Sequence, residues 1–178
     1  MITLRKLTFN DVQPFYTWIN DSDVIRYSLS LFKTLESESE INEWFRDLLR
    51  SKDLNYGIVL KSTGKLIGYA GLCKISKTNK SAEYFIFIGE KSLWGKGIGK
   101  EVTEKILQIG FMEYKLHRIM LTVSEYNTGG QKAYKRTGFL EEGRMREATF
   151  RDGRYHDKII MSVLKPDWLK NNSSRQSP

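Results

Sequence analysis

The glycine-rich stretch Leu93-Trp94-Gly95-Lys96-Gly97-Ile98-Gly99-Lys100 joins a predicted β-strand to a predicted helix. Residues 82–88 before it are rich in aromatic and β-branched types, which is typical of a buried strand. After it, apolar residues recur at helical spacing from position 98 to about 114. Glycines at such a junction let several backbone N–H groups point to one place, where the positive end of the helix also lies. The stretch predicts a phosphate or pyrophosphate site, although an ordinary strand-to-helix turn could carry the same glycines.

The composition restricts the class of protein. With 178 residues, 40% of them hydrophobic, the chain predicts one globular domain over residues 1–169, followed by a polar tail at 170–178 that we expect to be disordered. Cys73 is the one cysteine, which excludes an internal disulfide. His117 and His156 are the only histidines and show no metal-ligand spacing, so we expect no metal site. No stretch resembles a signal peptide or a membrane span, which predicts a cytoplasmic protein.

The net charge of +8 is the one general feature that could attract a nucleic acid. However, lysines and arginines are spread along the whole chain among the carboxylates. A small phosphorylated ligand would suit this charge equally well, so the charge alone decides neither reading. Since neither a zinc-finger spacing nor an RNA-binding aromatic motif is present, we expect neither a nucleic acid nor a membrane as partner.

The remaining sequence predicts elements in the order β, α, α, β, β, β, α, β, α, β, β. Gly64 and Gly153 each lie in a turn that connects the two strands of a predicted hairpin. The three strands before the glycine-rich stretch form an antiparallel meander. The fold class is therefore α/β of the α+β kind, with a mixed, mostly antiparallel central sheet of about seven strands and about four helices. The predicted strands are 2–7, 55–61, 65–75, 82–88, 116–123, 139–149 and 154–164, and the predicted helices are 12–19, 37–49, 98–114 and 127–138.

This order excludes two nucleotide-binding motifs that contain similar glycines. A dinucleotide-binding fingerprint follows the first strand of a βαβ unit, whereas these glycines follow the third strand of a meander. A Walker A loop requires Ser or Thr after its lysine and a glycine at its first position. Here Glu101 follows Lys100, and Trp94 stands where the first glycine should be.

The arrangement resembles the GNAT family of N-acetyltransferases, which use acetyl-CoA. Its pyrophosphate loop has the form Q/R-x-x-G-x-G/A, and the stretch from Trp94 to Gly99 matches except that Trp94 replaces Gln or Arg. The resemblance covers nearly the full chain and extends to the RimJ/RimL-type branch. Three further segments carry it: Asn127 with Ala133-Tyr134-Lys135-Arg136-Thr137-Gly138-Phe139, then Glu142-Gly143-Arg144, and Asp152-Gly153-Arg154-Tyr155-His156-Asp157.

The resemblance implies the fold of this family and a binding site for acetyl-CoA without a metal. The backbone of Phe87, Ile88 and Gly89 would hold pantetheine, and one of its N–H groups would polarise the thioester carbonyl. Asn127 matches a position that contacts the cofactor and is also suited to cap a helix. The residues expected around the pyrophosphate are Trp94, Gly95, Lys96, Gly97, Ile98, Gly99 and Lys100.

The resemblance also indicates two residues for the chemistry. Tyr134 matches a tyrosine that commonly acts as general acid towards the leaving thiolate, and an ordinary phenol is protonated at neutral pH. Its alternative role is to pack against the cofactor. Glu83 is the only carboxylate in the fourth strand and would act as general base, directly or through water. The alternative for Glu83 is a structural ion pair, with Glu125 as a second candidate base.

The acceptor is the least constrained part of this prediction. In the family it lies against segments that correspond to residues 23–32 and 144–155, which are rich in Arg, Tyr and Phe. These side chains favour a nucleotide-linked amino sugar, with a protein N-terminus as close competitor. A polyamine is less favoured, because a cationic acceptor requires an acidic pocket. A non-catalytic acyl-CoA-binding or regulatory module is the alternative function, and a homodimer is compatible with the resemblance.

Overall fold

The computed structural model describes residues 1–173, which form one seven-stranded sheet with six α-helices. Short 3-10 turns lie at Phe9–Val12, Ser30–Lys33 and Lys91–Leu93, and a π-helical turn lies at Ile109–Glu113. The strands are β1 (Ile2–Lys6), β2 (Leu54–Leu60), β3 (Leu66–Ser76), β4 (Ser81–Ile88), β5 (Arg118–Ser124), β6 (Leu140–Arg151) and β7 (Arg154–Leu164). The helices are α1 (Gln13–Ile19), α2 (Ser22–Ile25), α3 (Glu38–Arg50), α4 (Ile98–Gln108), α5 (Thr128–Arg136) and α6 (Lys165–Ser173).

The strand order β1-β2-β3-β4-β5-β7-β6 confirms the expected mixed sheet. Strands β4 and β5 are parallel, whereas β1–β2, β2–β3, β5–β7 and β6–β7 are antiparallel pairs. A parallel pair requires a long crossover connection, and α4 supplies it between β4 and β5. Helices α2 and α6 are additional to the four that the sequence predicts.

Contacts within the chain divide it into two compact units. Unit 1 comprises Met1–Cys73 and Phe85–Val102. Its core contains aromatic rings packed around the fully buried Phe15, together with Ile41 and Phe45 from α3. Helix α3 begins where predicted, because Ser37 and Glu40 form a capping box at its N-terminus.

Unit 2 comprises Lys74–Tyr84 and the chain from Thr103 onwards. Its β4–β5 ladder pairs Ser81, Ala82 and Glu83 with the three residues that begin β5. The predicted helix from 98 to 114 is regular only as far as Gln108. There the Tyr114 N–H donates to the Ile109 carbonyl over 3.1 Å, which closes a wider π-helical turn.

The structure corrects two further expectations. The predicted disordered tail is wrong for positions 170–173, which belong to α6, while positions 174–178 lie outside the described residues. Trp168 of α6 packs on Phe111 with ring centroids 5.4 Å apart, a long-range contact that gives the helix a partner in unit 2. His117 precedes β5 instead of beginning it, and its backbone bonds to Lys80 and Lys165. The prediction of one domain over residues 1–169 stays a prediction.

Candidate active site

The glycine-rich loop of unit 1 presents open backbone at the start of α4. Gly95 and Gly97 have φ angles of +76° and +82°, a left-handed conformation that glycine adopts without steric cost. A Cβ added at Gly95, Gly97 or Gly99 would meet no other atom within 4 Å. Ile98 is buried and begins the eleven-residue helix, while Lys96 is exposed. Open space, backbone donors and a helix N-terminus together fit a pyrophosphate group.

Trp94 explains why this loop departs from the usual pattern at its first position. Its indole Nε1–H donates to the Ile88 carbonyl over 3.0 Å, and its ring is 44% exposed. A Gln or Arg side chain here would extend towards a phosphate, whereas Trp94 connects the loop to the last residue of β4. Local sequence patterns contain no signal for this hydrogen bond.

The end of β4 offers backbone groups to a ligand. The Phe87 side chain is buried, with its ring stacked 6.0 Å from that of Phe15, so only its main chain is available. The Gly89 N–H donates to the Ile67 carbonyl over 3.0 Å. A Cβ at Gly89 would lie 2.0 Å from the indole of Trp18, so this position requires glycine. A ligand could therefore use the Gly89 carbonyl, but not its N–H.

Ion pairs fix the segment that leaves β4, and sequence reasoning did not single them out. Lys91 Nζ lies 2.7 Å from an Asp21 carboxylate oxygen and 3.4 Å from one of Asp23. The hydrogen bond from Lys91 lowers the pKa of Asp21. This cluster attaches the turn before the glycine-rich loop to the N-terminus of α2.

Tyr134 of unit 2 lies on α5 and is held between two aromatic rings. Its ring meets that of Tyr84 edge to face, with centroids 6.0 Å apart, and lies 6.0 Å from the ring of Phe139. Burial raises the pKa of Tyr134 to about 12, above the ordinary value used in the sequence-based prediction. Tyr134 therefore carries a proton at neutral pH that it can donate.

Glu83 lies on β4 opposite Met120 of β5. Its carboxylate is 21% exposed, and Lys74 Nζ lies 2.6 Å from one of its oxygens. The ion pair that was the alternative reading is thus present. The role of Glu83 as a base stays a prediction.

Asn127 caps α5, as the sequence predicts. Its Oδ1 accepts the Gly130 N–H over 2.9 Å. The Gln131 side chain then donates to the carbonyls of Ser124 and Glu125, over 3.0 and 2.9 Å, and holds the turn between β5 and α5. Contact between Asn127 and the cofactor stays a prediction.

Glu125, the second candidate base, participates in a charged cluster with the β6–β7 hairpin. Its carboxylate accepts from Arg144 over 3.0 Å and from the Asp157 N–H over 3.0 Å. The Glu147 N–H donates to Asp157 over 2.8 Å, and this bond lowers the pKa of that carboxyl. These contacts indicate that Glu125 orients the hairpin.

Comparison with known proteins identifies the family. Residues 1–140 match the family described as "Acetyltransferase (GNAT) domain". The chain belongs to the GNAT family. It is an acetyl-CoA-dependent N-acetyltransferase with the fold of that family, and not the non-catalytic module that was the alternative.

Three similar proteins are informative. The spermidine N(1)-acetyltransferase of Vibrio cholerae is 28% identical over 171 residues, which cover 96% of this chain and 97% of that one. The crystal structure of the Vibrio cholerae spermidine N-acetyltransferase with CoA and spermine has a TM-score of 0.84 at 28% identity and covers 94% of this chain and 98% of that chain. The putative ribosomal N-acetyltransferase YdaF of Bacillus subtilis is 30% identical over 131 residues, covering 74% of this chain and 70% of that protein.

These comparisons support the GNAT family, but they do not single out the RimJ/RimL-type branch. The CoA in the similar crystal structure agrees with acetyl-CoA as the donor. Within residues 1–173 no group of three or more His, Cys, Asp or Glu side chains could hold a metal ion. No helix in that part of the chain has the length and apolar character needed to cross a membrane. The cytoplasmic location stays a prediction.

Proposed function

We propose that this GNAT enzyme acetylates a primary amine of a small polycation of the spermidine class. The observation that carries the proposal is the similarity, over nearly the full length of both chains, to a spermidine N-acetyltransferase crystallised with CoA and spermine. This acceptor replaces the amino sugar favoured by the sequence-based prediction. None of the relatives named above is described as an amino-sugar acetyltransferase.

The local charge of unit 1 supports a cationic acceptor. Residues 22–40 contain four carboxylates and two cationic side chains, whereas the whole chain contains 21 carboxylates and 29 lysines and arginines. This segment is therefore acidic within a basic protein, which favours the approach of a polyamine. The sequence-based objection to a polyamine was that a cationic acceptor requires an acidic pocket. What supports a polyamine here is an acidic exposed surface, whose carboxylates are Asp23, Glu36, Glu38 and Glu40.

Different residues would bind acetyl-CoA and move protons in the reaction. Acetyl-CoA supplies the acetyl group as a thioester. The backbone from Gly95 to Gly99 and the charges of Lys96 and Lys100 would hold the pyrophosphate. Tyr134 would keep a proton on its hydroxyl oxygen for the leaving sulfur, while Glu83, directly or through water, would accept the proton that the amine loses.

The raised pKa of Tyr134 decides whether its hydroxyl transfers a proton to the sulfur or only donates a hydrogen bond to it. A phenol with a pKa of about 12 is a weaker acid than a thiol, whose ordinary pKa is about 8.5. It therefore stabilises the developing thiolate by donating a hydrogen bond. The amine proton passes to Glu83 while the sulfur leaves as a thiolate, so protons and charge balance without proton transfer from Tyr134.

A protein N-terminus is the second candidate acceptor. The 30% identity to the putative ribosomal N-acetyltransferase YdaF favours it. A homodimer, which the sequence-based reading allowed, stays a prediction.

An amine panel tests the acceptor directly. The full chain is incubated with acetyl-CoA and spermidine, spermine, peptides with varied N-termini or nucleotide-linked amino sugars, and release of the CoA thiol is followed. We expect kcat/KM for the polyamines to exceed that for the peptides by roughly 100-fold, since a site suited to several cationic groups binds an acceptor that lacks them less well. Preference for peptides would instead support the second candidate, and preference for amino sugars would contradict both.

The substitution Tyr134→Phe tests the proton donor with the best amine of that panel. We expect kcat to fall by roughly 100-fold and KM for acetyl-CoA to change by less than about 2-fold, because a positioned acid acts mainly on the transition state. Tyr114→Phe, at a half-exposed tyrosine after the π-helical turn, is the matched control and should leave kcat unchanged. An unchanged kcat in Tyr134→Phe would remove Tyr134 as the donor.

A further inference from the structure

Tyr84 is a buried tyrosine of unit 2 that the mechanism above does not use. It follows Glu83 on β4, and only 3% of its surface is exposed. Burial raises the pKa of Tyr84 well above its ordinary value of 10, so its hydroxyl stays protonated at neutral pH. A hydroxyl buried to this extent requires a partner, since an unpaired one costs free energy.

The partner of Tyr84 is Thr103 of α4. The two hydroxyl oxygens lie 2.9 Å apart, and Thr103 is completely buried. This hydrogen bond joins a strand to a helix across 19 positions of sequence, and it fixes the direction in which the long axis of the Tyr84 ring points. The Tyr84 ring is therefore held in place at both its Cβ and its hydroxyl end in the core of unit 2.

That ring forms one wall of the site that holds Tyr134. Tyr84, Tyr134 and Phe139 form a cluster in which each ring meets the other two, with centroid distances of 6.0, 6.0 and 6.2 Å. The planes of Tyr84 and Tyr134 are 86° apart, the edge-to-face geometry that aromatic pairs prefer. On the other side of Tyr134, its carbonyl accepts the N–H groups of Thr137 and Phe139, which anchors the end of α5.

We propose that Tyr84 is a positioning residue: its hydrogen bond to Thr103 holds the ring against which Tyr134 packs, and this fixes where the Tyr134 hydroxyl directs its hydrogen bond. The inference rests on the proposed role of Tyr134. A small displacement of a positioned group lowers the rate even when binding is unchanged. Loss of the Tyr84 hydroxyl should therefore affect kcat and leave KM for acetyl-CoA almost unchanged.

The test is a double-mutant cycle on kcat with Tyr84→Phe and Tyr134→Phe. Tyr84→Phe keeps the ring and removes its anchor, and we expect kcat to fall roughly 5-fold while KM for acetyl-CoA changes less than about 2-fold. In the Tyr134→Phe background the same substitution should leave kcat unchanged, because the group that it positions has gone. A loss of stability alone would instead lower activity in both backgrounds.

The other outcomes of this cycle would overturn the inference, and they distinguish failure of the positioning role of Tyr84 from failure of the donor role of Tyr134. Equal loss of kcat in both backgrounds, or an unchanged kcat in Tyr84→Phe alone, would refute the positioning role and leave the proposed function standing. An unchanged kcat in Tyr134→Phe would refute the positioning role together with the donor role of Tyr134, while the amine panel would still test the acceptor. If Tyr84→Phe does not fold, Thr103→Val breaks the same hydrogen bond from the other side, and the same cycle applies to it.

Tyr69→Phe supplies the matched control. Tyr69 is also a buried tyrosine, 2% exposed, but it lies in the aromatic core of unit 1. We expect its loss to leave kcat unchanged. A reduction of kcat equal to that of Tyr84→Phe would show that removal of any buried tyrosine hydroxyl has this effect, which would overturn the inference.

Discussion

In unit 1 five aromatic rings surround Phe15 at centroid distances of 5.0 to 6.0 Å. In unit 2, by contrast, charged side chains such as Arg118 of β5 and Glu142 of the edge strand β6 form an ion pair. Ring packing depends on shape and buried area, which do not change with pH. Ion pairs depend on protonation and on salt. The aromatic core of unit 1 should therefore stay packed over a wide pH range, whereas the hairpin of unit 2 should loosen in acid.

The largest effect should follow from Phe15→Ala. The side chain is fully buried, so its removal leaves a cavity among rings that cannot close around it. We expect the free energy of unfolding, measured in urea at neutral pH, to fall by about 3–5 kcal/mol. Phe150→Ala in the hairpin of unit 2, where the ring is 60% exposed, is the control and should cost less than about 0.5 kcal/mol.

Similar losses for these two variants would break the comparison, since they would show that the aromatic cluster is no more tightly packed than an exposed ring. A much larger effect of urea on unit 1 than on unit 2 would also count against it. Hydrogen exchange of the two units, followed separately, would show which one opens first.

Local patterns predicted most of the fold, because strand and helix periodicity and turn glycines are properties of neighbouring residues. The strand at 154–164 and the helix that Ser37 caps lie where the sequence placed them. The helical end of the chain was missed, because the polar residues from Lys170 onwards show no periodicity. What gives α6 its partner is Trp168, which packs on Phe111, 57 positions earlier in the chain.

In the candidate site, too, some residues could be predicted from local patterns and others could not. The glycines of the loop and Tyr134 stand in recognisable motifs, whereas Tyr84 is one of several aromatic residues in a strand. Its hydrogen bond to Thr103 and its contact with Tyr134 arise only when distant segments pack together. The hydrogen bond from Trp94 to Ile88 and the ion pair between Glu83 and Lys74 could not be predicted either, since the partners are not adjacent in sequence.

A smaller and more specific effect should follow from Gly97→Ala in the loop of unit 1. Gly97 and Gly64 both have left-handed φ angles, +82° and +70°, and open space where a Cβ would lie. Alanine should cost about 1–2 kcal/mol of stability at either position. Only Gly97→Ala should also raise KM for acetyl-CoA, by about 10-fold, because a methyl group would obstruct hydrogen bonds to a charged ligand.

Gly64→Ala in the β2–β3 turn is therefore the matched control, with equal backbone strain and no expected change in KM. Equal KM values for the two variants would show that the loop does not hold the pyrophosphate. Comparison of the two variants separates the cost of backbone strain at a left-handed glycine from the role of Gly97 in binding the pyrophosphate.

The smallest effect concerns the charges of unit 2. Arg118 donates to both carboxylate oxygens of Glu142, and Ser162 donates to one of them over 2.7 Å. The hydrogen bonds from Arg118 lower the pKa of Glu142 from 4.5 to about 2. Because the folded pKa is depressed, the pair stabilises the protein above pH 4.5, and its contribution disappears as the pH falls towards 2. The carboxylate is 38% exposed, so solvent screening limits the contribution to about 1 kcal/mol.

Glu142→Gln should therefore lower the free energy of unfolding by about 1 kcal/mol at neutral pH and by almost nothing near pH 2. Urea unfolding of both proteins across this range measures the difference, and Glu113→Gln, at an exposed carboxylate after α4, is the control that should show no such trend. A difference that stays constant with pH would mean that Glu142 contributes through packing instead of charge. In that case packing would stabilise strands β5 and β6 of unit 2, as it stabilises the aromatic core of unit 1.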